Sequence, residues 1–139
     1  MKNLTLSSKV AIDLRLLLDS VAFIWSVRTP ERLSRKAIAA LEREGTMREL
    51  SALSLSEIAI KAAKGRLAVS REDVAIGLAA LQIRILPYTA EHALRLFDLP
   101  VHHADPFDRQ IIAQALAEDI PVVTSDETFK LYAGVKVIW

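Results

Sequence analysis

Short apolar runs alternate with helix-length segments along this chain, and that alternation limits its fold more than any other feature. The runs are 14–18 (LRLLL), 83–86 (IRIL), 120–124 (IPVVT) and 135–139 (VKVIW). Each is strand-length, and helical patterns lie between them. Thr29 and Pro30 open one helix, with Thr as cap and Pro at the first helical position; Leu33, Ala37, Ile38 and Leu41 keep helical spacing until Gly45 stops it. Residues 51–64 form a second, closed by Gly65. Ser70 to Asp73 has capping-box spacing and opens a third, reaching about Leu81. Thr89 caps a fourth, to about Phe97; Asp105-Pro106-Phe107-Asp108 opens the strongest, to about Glu118; residues 126–132 form a short last one. Strands alternating with helices give an α/β class: a three-layer α/β/α sandwich around a mostly parallel sheet of four to five strands.

The 139 residues fit a single domain, 1–139, with residues 1–13 as an N-terminal extension. Hydrophobic residues make up 52% and charged ones 25%, enough to build a core and too apolar for a disordered chain. With 18 Lys and Arg against 17 Asp and Glu, the net charge is +1, so nucleic acid cannot be held by a global basic excess. Aromatic residues are only 6%, which argues against an extended base-stacking platform. The lack of cysteine excludes disulfides, thiolate zinc sites and a cysteine nucleophile. No apolar run is long enough for a transmembrane span or a signal peptide, and a cytoplasmic location is expected.

In parallel sheets, ligands bind beyond the carboxyl ends of the strands. Asp19 directly follows the first strand, and Asp126 lies two residues past 120–124. Asp108 sits in the first turn of the helix preceding that strand, and Glu57 lies on the helix that begins near Ser51. Convergence of the four would require a cation, and oxygen-only donors favour magnesium or manganese. Each acid also has a local explanation. Asp105 before Pro106 is a helix cap, and Asp108 can complete it. Glu57 stands at capping-box spacing from Ser54 and ion-pair spacing from Lys61, while Asp126 can cap its own short helix.

The segments LLLDSVAFIW, SEIAIKAAKGRL, ILPYTAEHALRL, LPVHHADPFDRQIIAQA and VVTSDETFKLY, in this order, resemble PIN-domain proteins, specifically the VapC-like toxins of bacterial toxin–antitoxin pairs. The resemblance runs from about Leu14 to Trp139. It implies a metal-dependent endoribonuclease whose acids are Asp19, Glu57, Asp108 (Asp105 the alternative) and Asp126. Ser20, Ser54 and Thr124 would support them, with Thr124 orienting Asp126. It further implies one or two magnesium or manganese ions, an RNA substrate, a small DNA-binding antitoxin that blocks the site, and a homodimer.

The family usually carries Asp-Thr-His after the first strand, whereas Asp19 is followed here by Ser20 and Val21. Ser20 keeps the hydroxyl and the histidine is missing, which leaves a catalytically inactive module binding RNA or an antitoxin as the alternative. A phosphohydrolase with an aspartyl nucleophile would want a second Asp where Val21 stands. Lys61, Lys64, Arg66 and Arg109 are candidate RNA-phosphate contacts. His102 and His103, being adjacent, suit a loop or cap better than a shared ion. Phe23, Ile24 and Trp25 suit core or dimer packing better than base stacking; Leu33, Ile38 and Leu41 form a helical stripe that packs against the sheet or, as the alternative, receives an antitoxin helix; and Phe107, Ile111, Ile112 and Ala115 should face the core.

Overall fold

The leucine run becomes the middle of a sheet. A computed structural model, which describes residues 14–139, places β1 (Arg15–Leu18) at the centre of five parallel strands in the order β3-β2-β1-β4-β5. The others are β2 (Met47–Ser51), β3 (Arg84–Leu86), β4 (Val122–Val123) and β5 (Val137–Ile138). The expected extension, residues 1–13, lies outside the described residues. Six α-helices flank this sheet among the described residues: α1 (Ser20–Arg28), α2 (Arg35–Glu42), α3 (Ala52–Ala63), α4 (Arg71–Ala80), α5 (Ala90–Leu94) and α6 (Pro106–Glu118).

Alternation along the strands divides the core in two. Leu16, Leu18, Leu50 and Val123 pack on one face with Phe23 of α1, Ala37 and Leu41 of α2 and Ile58 of α3. Leu17, Leu86 and Val122 pack on the other with Ile111, Ile112 and Ala115 of α6, and with Phe129 and Tyr132. Phe107, expected in the core, is only half-buried in the first turn of α6. On the first face α1 and α4 approach closely: a Cβ added at Gly77 would meet Val27 Cγ2 at 2.7 Å.

Several helix boundaries follow the capping chemistry. Ser70 and Asp73 make a reciprocal capping box, and Asp105 with Pro106 starts α6. Thr89 caps α5, but His92 supplies the return bond, and the helix passes into a 3-10 turn, Arg95–Asp98. Elsewhere the expectation needs correction. Thr29 makes no side-chain cap; Pro30–Arg32 is a single 3-10 turn, and α2 starts afresh with Ser34 capping Ala37 N–H. Residues 126–132 form a 3-10 helix, Glu127–Leu131. Two elements carry no clear periodic signal. α1 is short and apolar on most sides, and β2 holds Arg48 and Glu49 in what looks like polar sequence.

Those two charges are satisfied inside the structure. Arg48 donates to the carbonyls of Leu41 (2.6 Å) and Leu81 (2.7 Å). Glu49 is 0% exposed, and its carboxylate accepts from Arg15 Nε (2.6 Å) on β1 and Arg84 (3.3 Å) on β3. Arg15 also reaches Glu118 of α6 (3.2 Å), which bonds the buried His92 ring (2.9 Å). Without Glu49, Arg15 keeps Glu118 and Arg84 stands largely in water, so what is lost is mainly the charged hydrogen bonds. Glu49→Ala should therefore lower unfolding free energy by about 1.5–3 kcal/mol, measured by urea denaturation.

Candidate active site

The carboxyl ends of β1 and β4 are neighbours, and the chain leaves them toward different helices, so a crevice opens there. Asp19 ends β1 and caps α1, accepting the Ala22 N–H at 2.7 Å through Oδ1. Its Oδ2 accepts the Thr124 hydroxyl at 2.5 Å. Thr124 in turn accepts the backbone N–H of Asp126 (3.0 Å). The threonine thus fixes the Asp19 carboxylate and the Asp126 backbone, not the Asp126 side chain as expected; that carboxylate caps the 3-10 helix by accepting from Thr128 N–H (2.9 Å).

Glu57 projects from α3 and is buried, with Oε1 accepting from the Ser20 hydroxyl (2.6 Å) and Oε2 paired to Lys61 Nζ (2.8 Å). The helix begins at Ala52 behind a Ser51 cap, so Ser54 lies inside it and makes no capping box with Glu57. Its hydroxyl is fully buried with no hydrogen-bond partner among the described residues. Asp105 accepts the N–H groups of Phe107 (2.9 Å) and Asp108 (3.2 Å), the expected cap. Asp108 is the acid with the least local support: the group beside it is the His103 ring, whose Nε2 lies 3.6 Å from Oδ2.

These groups sense one another. Burial pushes the Asp108 carboxyl up to about 7, and the charges of Asp105, Glu57, Asp19 and Asp126 push the same way. Burial also raises Asp19 to about 6, with Glu57 and Asp126 adding to it against the two hydrogen bonds that favour its ionised form. Lys61 is raised by its bond to Glu57 and by the charges of Asp105 and Asp108, which places it at the rim of the same cluster. Lys64 and Arg66 are exposed just past α3. Arg109 donates to the Pro100 carbonyl (2.7 Å) and Tyr132 Oη (3.3 Å).

One residue that sequence reasoning assigned to a loop or cap belongs to this cluster. His103, Asp108 and Asp126 each offer a ligand atom, all within 4.8 Å of one another. Nothing periodic marks His103; its only signal is its place two residues before Asp105. The two half-buried carboxylates of this set suit a hard divalent cation, and Asp19 and Glu57 stand outside it but near enough for their charges to raise Asp108.

The PIN domain family profile matches residues 16–135, and the chain belongs to that family. Its fold is shared with a chain of the Rickettsia felis VapBC2 complex bound to promoter DNA, with a TM-score of 0.69 and 15% identity over 89% of this chain and 97% of that one. A chain of DNA-bound VapBC from Salmonella typhimurium gives 0.67 and 18%, covering 89% and 96%; one of FitAcB from Neisseria gonorrhoeae gives 0.56 and 20%, covering 88% and 95%. Comparison with curated proteins finds no significant match. No helix among the described residues is long and apolar enough to cross a membrane.

The raised acids dictate a pH response. Where the folded protein holds protons that the unfolded chain releases, stability falls as pH rises. For Asp108 that window runs from the usual carboxylate value near 4 to about 7. In chelator at pH 7.5, Asp108→Asn should melt several degrees above the wild type, and the gap should close by pH 4; thermal unfolding at the two pH values checks this.

Proposed function

We propose that this protein is a metal-dependent endoribonuclease, the toxin of a toxin–antitoxin pair, which hydrolyses RNA phosphodiester bonds at Asp19, Glu57, Asp108 and Asp126. The observation that carries this reading is the meeting of Asp108 and Asp126 within 4.8 Å, with Asp19 and Glu57 near enough for their charges to raise Asp108. Such an arrangement costs stability and is understandable when a cation completes it.

Magnesium or manganese, when bound, polarises a phosphoryl oxygen and makes water a better nucleophile. The chain's own groups prepare the place. Thr124 and the Ala22 N–H fix the Asp19 carboxylate through both oxygens. Ser20 and Lys61 hold one oxygen each of Glu57, so the hydroxyl expected after the first acid is in use although the histidine is missing. Asp105 anchors the turn that presents Asp108. Thr128 N–H holds Asp126. Lys61, with Lys64 and Arg66 beyond it, offers positive charge to the RNA backbone on one side. With a net charge of +1 on the whole chain, attraction for phosphate has to be local and partly supplied by the ion. The neighbours in fold come from DNA-bound two-component complexes, which supports a small DNA-binding antitoxin as partner. A homodimer belongs to the same reading.

Purified protein incubated with total RNA should produce fragments in magnesium or manganese and none in chelator. Loss of a group merely supporting a ligand costs roughly 10- to 100-fold, so Asp108→Asn should reduce cleavage by at least ~100-fold while remaining folded. Absence of cleavage by the wild type with either ion would overturn the proposal.

A further inference from the structure

His103 sits at the edge of the carboxylate cluster with no part in the reading above, and its surroundings define what it can do. The ring lies beside Phe129 and Tyr132, at centroid distances of 6.4 and 5.6 Å. Nδ1 is 2.8 Å from Tyr132 Oη. The same phenol oxygen accepts from Arg109 Nη1 (3.3 Å) and from the His102 backbone N–H (3.4 Å). A phenol offers two acceptor sites and one proton, so with both lone pairs facing N–H donors its hydrogen goes to Nδ1. The histidine is thereby held with its own proton on Nε2.

That Nε2–H is buried and has no hydrogen-bond partner among the described residues. Asp108 Oδ2 lies 3.6 Å away, outside hydrogen-bond range, yet near enough to place the proton beside the acid cluster. Of the neighbouring cations, Arg109 is committed to Pro100 and Tyr132, while Lys61 is bonded to Glu57 at the rim. A buried donor left open beside acids, on a ring locked from behind, suits an acceptor that arrives with the substrate.

We propose that His103 binds the scissile phosphate, its Nε2–H donating a hydrogen bond to a non-bridging phosphoryl oxygen while Tyr132 fixes the tautomer. The inference rests on the nuclease reading. It also separates His103 from Asp108 and Asp126, with which it could otherwise share an ion. A metal-ligating imidazole nitrogen must present a lone pair, and this tautomer carries hydrogen there. The mechanism needs no change in the charge of the ring.

The test combines spectroscopy, metal binding and kinetics. Nitrogen-15 NMR of the wild type should show His103 protonated at Nε2. Adding the dinucleoside monophosphate UpA, with calcium in place of magnesium, should shift that resonance. Manganese affinity of His103→Ala should stay within about twofold of wild type, while kcat/KM for RNA falls about ten- to a hundredfold. His103→Gln, whose amide can donate from nearly the same place, should recover most of that loss. A proton on Nδ1, an NMR signal indifferent to UpA, a tenfold drop in manganese affinity, or unimpaired cleavage by His103→Ala would each overturn the proposal. A wild type that cuts no RNA but shows the UpA response would defeat the nuclease reading and leave the phosphate contact standing.

Discussion

The sheet is organised around one charge that water never reaches. Glu49 stands in the middle of β2, fully buried, and is held by arginines from the strands on either side. A buried carboxylate without partners would be costly enough to reject the register that creates it, because slipping a strand by one residue moves every side chain to the opposite face. The pairings Leu17↔Glu49 and Glu49↔Arg84 are therefore specified by electrostatics as well as by leucine packing. Through Arg15 the same network reaches Glu118 at the end of α6, so the helix that carries Asp108 is tied to the sheet at its far end. The positions of the site's acids descend from this arrangement.

At the other end of the strands the physical logic reverses. Where Glu49 has arginines, the carboxylates at the crevice have mostly each other. Hydroxyls, backbone N–H groups and one lysine hold them in place without neutralising the group as a whole. One cluster gives the chain its order, and the other stores repulsion within that order. The upward shifts of Asp19 and Asp108 measure the second effect, and the short bonds from Thr124 and Ser20 show how the chain contains it.

Much of this architecture can be read from residues alone, and the exceptions are instructive. The central strand, α3, α4 and α6 announce themselves through apolar runs, a capping box and Asp-Pro at a helix start. β2 does not, because Arg48 and Glu49 look like surface residues until their distant partners are known. α1 is hidden by a nearly unbroken apolar stretch that belongs to no single period. Thr29-Pro30 is misleading because Pro30 opens only one 3-10 turn before the chain bends again to reach Ser34. In the site, the acids stand out by their places at strand and helix ends, whereas the hydroxyl pairings depend on contacts between Asp19 and Thr124, 105 residues apart. His103 is invisible for a similar reason: its meaning comes from Tyr132, 29 residues later, and from a helix start that turns it toward Asp108.

Asp19, Asp105 and Asp126 each cap a helix, so their carboxylates serve the fold whatever chemistry they perform. Asp108 caps nothing; Asp105 serves it, rather than the reverse. Whatever the site does, the fold itself would resist losing the first three, whereas Asp108 has no such hold. Position 108 is thus the aspartate whose presence folding alone explains least.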